Sequence, residues 1–348
     1  MNKLNVAVVG YGLAGRCFHA YLVGLVPDLK LRAVVSSRPE AREAIERDLG
    51  AIAYADFEQL LADDTVDLVV LATPNDLHAP HAIAALAAGK HVVTDKPMAL
   101  DRGEADAMIA AAAKHDRLLS VFQNRRWDAD YLTIRRAIED ERVGKPFRLE
   151  LAWMAHAPPR TWRAKHVHGG GKFVDFGAHL IDQALQLIPG PVDRVYARFQ
   201  SGLWKNDVED HAECTIGFAG GVEVQITTSS AAPQAKPRWL VMGSGGTLTQ
   251  RGLDPQEKAM VAGDIDAAAE VPTHRVVHAP TVSGTQEELE TVPGRWRSYY
   301  ENVADAILGR AELAVTAASV RRVMAVIDAA RQSAATGQAV EVDDTAQA

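Results

Sequence analysis

The chain is poor in cysteine. Cys17 and Cys214 are its only two, too few and too far apart for a disulfide framework or a zinc module. Both read as small buried residues in a reducing compartment. Positive charge is also in short supply. Lysine and arginine total 37 against 45 aspartates and glutamates, a net −8, whereas a general nucleic-acid role calls for a basic face. No apolar run approaches the length needed to cross a bilayer. The N-terminus runs straight into a short apolar strand and then glycines, without a signal peptide's apolar segment and cleavage site. Internal repeats and low-complexity linkers are absent as well. These absences point to a cytoplasmic protein with no nucleic-acid or membrane partner. The 348 residues, 47% hydrophobic and 24% charged, suffice for two ordinary globular domains.

The stretch that organises the rest is Gly169-Gly170-Gly171-Lys172-Phe173-Val174-Asp175-Phe176-Gly177-Ala178-His179-Leu180-Ile181-Asp182. Its glycines allow a tight bend and close approach to a ligand. Asp175, His179 and Asp182 follow at i, i+4 and i+7, one face of a helix, with Leu180, Ala184 and Leu187 as an apolar stripe on another side. A carboxylate one turn from an imidazole is a proton-transfer pair. An N-capping Asp175 beside a half-buried, satisfied His179 fits the same spacing. A metal site built from these residues with His166 and His168 is a third reading, but it lacks any recognised ligand spacing.

Upstream, the apolar run Leu4–Val9 reads as a strand buried on both faces. It ends in Gly10-Tyr11-Gly12-Leu13-Ala14-Gly15, and a helix pattern follows. Strand, GxGxxG and helix in succession are the context in which this motif binds a dinucleotide. Gly10 makes the turn, Gly12 admits the pyrophosphate and Gly15 lets helix and strand pack closely, with the phosphates at the helix N-terminus. A second strand, Leu31–Val35, ends in Ser36-Ser37-Arg38 and carries no acid there. Hydroxyls and a guanidinium suit a 2′-phosphate, so NADP is expected. The alternative is NAD, with Arg38 solvated and Glu40 reaching the ribose. Further strands at Val66–Ala72, His91–Thr94 and Leu118–Phe122 alternate with helices at Asp56–Leu61, His78–Ala88 and Arg102–His115. That alternation predicts a parallel sheet with right-handed crossovers and ligands at the carboxyl ends of its strands. Thr73, Pro74, Asn75 and His78 follow one such end, and Asp95-Lys96-Pro97 another. A lysine held there before a proline suits an ammonium that stabilises negative charge on a substrate oxygen; a phosphate-binding or solvated lysine is the plainer reading.

Four motifs, AVVGYGLAGR at Ala7–Arg16, ATPNDLHAPHA at Ala72–Ala82, TDKP at Thr94–Pro97 and GGGKFVDFGAHLIDQ at Gly169–Gln183, make the chain resemble the glucose–fructose oxidoreductase and inositol dehydrogenase (Gfo/Idh/MocA) family over nearly its whole length. The resemblance implies an α/β fold: an N-terminal Rossmann domain with a parallel sheet, here residues 1–123, and a C-terminal domain with an open, mainly antiparallel sheet, residues 124–348. It also implies Lys96, Asp175 and His179 as catalytic residues. The usual Glu-Lys-Pro is Asp95-Lys96-Pro97 here, which puts the acid's cofactor contact in question. Asn124–Ile138, NRRWDADYLTIRRAI, resembles the branch containing NADP-dependent scyllo-inositol dehydrogenases.

Past Gln123 the alternation stops. Asn124 to Trp127 is expected between the domains, with Arg126 and Trp127 near the substrate; an ion pair with a packed indole is an equal reading. A strand over Phe147–His156 ends in His156. The loop Pro158–Arg163 brings Trp162 and Arg163, an indole to stack on sugar CH groups and a guanidinium to donate to hydroxyls; a structural loop accounts for them as well. Strands are expected at Val192–Phe199, Ala212–Phe218, Val222–Thr228 and Arg238–Met242, with Gly220-Gly221 as a hairpin turn. One polar and one apolar face make an antiparallel sheet covered by helices on one side, the other side being suited to a homo-oligomer, a dimer or tetramer. Leu253–Glu290 reads as an extended excursion. Helices are expected at Arg297–Leu308 and Thr316–Ala330, and a short strand with a frayed tail at Gln338–Ala348.

The expected activity is reversible hydride transfer between NADP(H) and a secondary alcohol of a cyclic polyol or sugar, without a metal. His179 serves as general base, Lys96 stabilises the alkoxide and Asp175 orients the substrate. The rivals are a reductase of an anhydrofructose-type ketosugar and a dinucleotide-binding sensor that performs no turnover.

Overall fold

Val6 to Val9 are all buried, as a strand covered on both faces requires. They sit at the middle of the first of two sheets. The computed structural model describes residues 3–282 and 284–343, and the chain divides into two compact units. The first comprises Met1–Asn124, Glu257–Ala267 and Trp296–Val320, and the second the remainder. The first unit thus includes two segments from the later part of the chain.

The first unit holds β1 (Leu4–Val9), β2 (Leu29–Val35), β3 (Ile52–Tyr54), β4 (Leu68–Leu71), β5 (His91–Thr94) and β6 (Leu119–Val121). All neighbours are parallel, in the order β3-β2-β1-β4-β5-β6. The order reverses between β1 and β4, the switch point at which such sheets bind ligands. Helix starts follow their caps. Asp101 Oδ1 accepts from the Glu104 amide at 2.8 Å and opens Arg102–His115; Asp56 opens Phe57–Leu61 in the same way. The helix Pro39–Leu49 was not expected. It buries only Ala41 and Ile45, too few apolar side chains to leave a clear period. The late helix Arg297–Ile307 completes this unit's core. Tyr299 packs edge-on to Phe122 with centroids 5.0 Å apart, and its hydroxyl lies 2.9 Å from Ser120 Oγ.

The second unit holds β7 (Pro146–Met154), β8 (Val192–Gln200), β9 (His211–Phe218), β10 (Glu223–Ser229), β11 (Trp239–Gly243), β12 (Gly246–Gln250), β13 (Val277–Pro280), β14 (Glu287–Glu288) and β15 (Val340–Glu341). They form one sheet, in the order β14-β13-β12-β11-β7-β10-β9-β8-β15. Its pairs are antiparallel except β7 with β10. The excursion expected at Leu253–Glu290 is corrected: it supplies β13, β14 and the helix Gln256–Val261. The strand expected after Gln338 is β15; of the expected tail, residues 344–348 lie outside the described residues.

The helix Ala178–Leu187 is buried on nearly every side, wider than the stripe its apolar residues suggest. It carries Asp182 and Gln183 into the interior, where a charge must be paired. Asp182 accepts two hydrogen bonds from Arg126, at 2.8 and 2.6 Å. Close by, Arg125 pairs with Asp128 at 3.2 Å and lies 4.2 Å over the Trp153 ring. Arg238 stands 3.7 Å from Asp130 and donates to Gln183 Oε1 at 2.8 Å. Trp239 Nε1 donates to Asp130 at 2.8 Å, and Gln183 Nε2 donates to the Arg125 carbonyl at 2.9 Å. All six charged groups are buried, three of each sign. We expect Asp182→Ala, which removes both hydrogen bonds that Asp182 accepts from the buried Arg126, to lower stability by about 3–5 kcal/mol. The combined Arg126→Met and Asp182→Leu variant should recover most of that loss, as read from urea unfolding midpoints.

Candidate active site

In the first unit the candidate cofactor residues gather by topology. Each follows the carboxyl end of a parallel strand, and the strand ends are cross-bonded. Gly10 N donates to Val35 O at 3.0 Å, Ala72 N to Val9 O at 2.8 Å, Asp95 N to Leu71 O at 2.9 Å and Phe122 N to Thr94 O at 2.8 Å. The glycine loop Gly10–Gly15, Ser36–Arg38, Thr73–Asn75 and Asp95-Lys96 therefore share one edge of the sheet.

Gly15 is where the helix crosses closest: a Cβ there would run into the Gly10 carbonyl. A Cβ on Gly12 would meet nothing within 4 Å, so the backbone between the exposed Gly12 and Leu13 and the half-buried Tyr11 and Ala14 is approachable. The helix then opens as a wide π-turn, Ala14–Ala20, a device often found at functional positions. Thr73 Oγ1 is buried with no partner among the described residues.

At the end of β2, Ser36 is buried, and Ser37 and Arg38 are exposed. Arg38 Nη2 donates to the Tyr11 carbonyl at 2.9 Å, tying this strand end to the glycine loop. Arg42 Nη1 donates to the Ser36 carbonyl at 2.9 Å. Sequence reasoning passed over Arg42. The available signal was its i+4 spacing from Arg38 once Pro39 is read as a first helical residue.

Lys96 and Asp95 are half-buried, and Asp95 Oδ1 accepts from the Lys96 amide at 2.8 Å. His78 departs from its expected place among the cofactor ligands. Its side chain is fully enclosed, with Nδ1 2.8 Å from the Pro97 carbonyl and Nε2 3.2 Å from the Thr73 carbonyl. Burial lowers its pKa, against the pull of the nearby Asp95 and of the two carbonyls. His78 is a brace between two strand-end loops.

In the second unit the glycine stretch leads into another π-turn, Phe173–Gly177, and then into the helix Ala178–Leu187. The wide turn alters the even α-helical spacing on which a shared face for Asp175, His179 and Asp182 rested. Asp175 is half-buried, 3.7 Å from Arg163 Nε and 4.0 Å from Lys172 Nζ. Arg163 stacks over the Trp162 ring at 4.4 Å. Trp162, Arg163 and Asp175 thus form a run of one indole, one guanidinium and one carboxylate, suited to CH groups and hydroxyls. His179 is 5% exposed and lies near the Trp153 ring, 6.2 Å between centroids. Trp153 stacks on Phe176 at 4.3 Å, and Lys172 Nζ sits 4.2 Å over Phe176.

Not every candidate joins that run. Arg126 is held by Asp182, Trp127 is half-buried with its carbonyl accepting from Arg295 N at 3.0 Å, and the exposed His156 stands edge-on to Trp204 at 5.2 Å. Trp153 and Glu209 were missed, since each becomes visible only when the sheet brings β7 and the loop before β9 to the glycine stretch; Lys172 was missed although it lies inside that stretch, beside Asp175 and Phe176. Glu209 Oε1 accepts from the Phe173 amide at 2.6 Å. Burial pushes its carboxyl up, with this hydrogen bond working against the shift. Among the described residues no group of three or more His, Cys, Asp or Glu is placed to hold a metal ion, and no helix is long and apolar enough to cross a membrane.

Residues 4–123 match the oxidoreductase family with an NAD-binding Rossmann fold, and residues 131–249 match the GFO/IDH/MocA C-terminal domain. The scyllo-inositol 2-dehydrogenase (NADP(+)) IolW of Bacillus subtilis is 31% identical over 343 residues, covering 96% of this chain and 94% of that protein. The 1,5-anhydro-D-fructose reductase of Ensifer adhaerens is 30% identical over 226 residues, 64% of this chain and 68% of that protein. The crystal structure of an NAD-binding protein from Listeria innocua superposes with a TM-score of 0.83 at 32% identity, covering 98% of this chain and 97% of that one.

Gly171 has φ +114°, and a Cβ there would meet both Glu209 carboxylate oxygens. Gly171→Ala is therefore expected to cost about 1–3 kcal/mol and to detach Glu209 from the Phe173 amide. A lowered thermal midpoint, with Glu209→Ala no longer additive in that background, is the measurement.

Proposed function

This chain belongs to the Gfo/Idh/MocA family of oxidoreductases, and we propose that it transfers a hydride reversibly between NADP(H) and a secondary alcohol of a cyclic polyol or sugar. The observation that carries this reading is the gathering of the glycine loop, Ser36–Arg38, Thr73–Asn75 and Lys96 on one edge of a parallel sheet. A dinucleotide fits what is there: an approachable backbone at Gly12, a helix start behind it and a buried Thr73 hydroxyl with no partner among the described residues.

The end of β2 supports NADP over NAD. Ser36, Ser37, Arg38 and Arg42 supply hydroxyls and two guanidinium groups, the donor set that a phosphate monoester requires. The Bacillus relative's name specifies NADP(+), which supports the same choice.

When bound, the nicotinamide accepts or supplies the hydride. In the oxidative direction His179 takes the hydroxyl proton as general base. Lys96 stabilises the negative charge that develops as the alkoxide forms. Asp175, with Arg163 and Trp162, orients the polyol. The enzyme works in the cytoplasm. A second reading, reduction of a ketosugar, draws on the Ensifer relative, whose name describes that reaction; the same residues then run in reverse, with His179 as the acid.

Two measurements test the proposal. Lys96→Ala should lower kcat by roughly 10²–10³ while leaving NADPH binding nearly unchanged in a fluorescence titration; retention of most activity removes Lys96 from the mechanism. Arg38→Ala should cost about 1.5–3 kcal/mol of NADPH binding and little of NADH binding. Equal losses for both nucleotides would reverse the cofactor assignment. A panel of inositols and ketosugars run with both cofactors decides the substrate class.

A further inference from the structure

Behind Lys96, inside the first unit, three polar groups line up. His19 lies on the π-turn after the glycine loop and is fully enclosed. Its Nδ1 is 2.7 Å from the Tyr300 hydroxyl, and its Nε2 is 3.5 Å from Asp95 Oδ2. The other oxygen of Asp95 accepts from the Lys96 amide. Aromatic rings close the cluster: Phe122 is 4.5 Å from the imidazole and 5.8 Å from Tyr300, which meets Tyr299 at a right angle.

The distances assign the protons. Burial, reinforced by Tyr299 and Asp95, pushes the Tyr300 phenol well above its usual value, so Tyr300 keeps its proton; because the Asp95 carboxylate facing Nε2 can only accept, Nδ1 is left as the acceptor for the Tyr300 hydroxyl. The ring proton then sits on Nε2. That nitrogen is buried and among the described residues has no partner closer than Asp95, and leaving such a donor unsatisfied is costly. Asp95 is the acceptor it faces.

We propose that Tyr300, His19 and Asp95 form a positioning relay: Tyr300 fixes the tautomer of His19, His19 holds Asp95 as a carboxylate, and Asp95 holds the backbone from which Lys96 projects. Its catalytic consequence rests on Lys96 acting as proposed above; its structural core does not. The arrangement also gives the shorter acid a purpose. Asp95 reaches both its neighbour's amide and the imidazole, a geometry set for a side chain with one methylene.

The groups facing Asp95 are His19 from the π-turn, Lys96 from its own loop, His78 from the helix His78–Ala87 and Tyr300 from the helix Arg297–Ile307. Burial works to raise the Asp95 pKa, but the hydrogen bond from His19 and the neighbouring charge of Lys96 outweigh it and hold the carboxyl far below the usual range. Because the folded value lies below the unfolded one, the anion's contribution to stability is present at neutral pH and is lost as the pH falls through the folded value. Without His19, burial is less opposed, and Asp95 takes up its proton at a higher pH.

The test is carried out on the full chain labelled with ¹³C-aspartate, with the Asp95 carboxyl signal assigned by its loss in Asp95→Asn. The wild type should remain ionised from about pH 8 down to about pH 4. In His19→Phe the Asp95 inflection should rise by at least about one pH unit. Tyr300→Phe should shift it less, in the same direction, and His19→Gln, which retains a donor, should restore most of the wild-type value. In turnover, the acid limb of the kcat profile should move with the Asp95 signal while KM changes little. An Asp95 titration unchanged in both His19→Phe and Tyr300→Phe overturns the relay, and should the former not fold, an unchanged Tyr300→Phe suffices. A shifted signal with an unmoved kcat profile overturns the link to Lys96. A shifted signal in a protein that turns over neither polyols nor ketosugars upholds the relay and overturns the polyol reading instead.

Discussion

The second unit depends on the neutralisation of buried charge. Arg125, Arg126 and Arg238 meet Asp128, Asp130 and Asp182 in an interior where no unpaired ion is tolerated. This set determines which way the helix Ala178–Leu187 can face, because Asp182 has to meet Arg126 and Gln183 has to bridge Arg125 and Arg238. The orientation of His179, three residues before Asp182 on that helix, follows from this pairing. Two indoles serve the same end. Trp153 lies beneath Arg125, and Trp239 gives its N–H to Asp130, so cations and aromatic faces share the load of desolvation.

The two units use one local device. In each, glycines lead into a wide turn before a helix settles into ordinary α geometry. The first such turn carries Arg16 to His19, the second Asp175. The extra backbone width changes the direction of side chains in the opening turn relative to those that follow, which places polar groups where a regular helix would crowd them against the strand behind. Around the first turn the polar groups are held by carbonyls and by one another, as His78 is by Pro97 and Thr73.

Much of this was legible in the sequence, because the signals were local. The helix Arg102–His115 follows from an aspartate cap and a long alanine-rich run, and β1, β2 and β4 to β6 from apolar runs between glycines and turns. What escaped was short or non-local. β3, β12, β13 and β14 have two to five residues each, too few to establish alternation, and the partners that stabilise them are distant in sequence. The wide turn at Asp175 cannot be inferred from a 3.6-residue period. The chain reads as two consecutive domains because nothing in the composition of Trp296–Val320 marks it as part of the earlier core. Arg126 reads as a substrate ligand until its partner in the helix is seen, and His78 as a cofactor ligand until both of its nitrogens are accounted for. The family was legible from four motifs; the choice between NADP and NAD rests on a strand end where serines and arginines replace an acid.

The late helix Arg297–Ile307 has an implication for biosynthesis. When a ribosome has released the first 124 residues, the parallel sheet has all its strands, yet Phe122, Ser120 and His19 still await Tyr299 and Tyr300. The nascent nucleotide half must persist with an apolar seam uncovered while residues 125 to 295 are translated. Maturation of the oldest part of the polypeptide is thereby timed by one of its youngest segments, so a truncated product would expose that seam to chaperones and proteases.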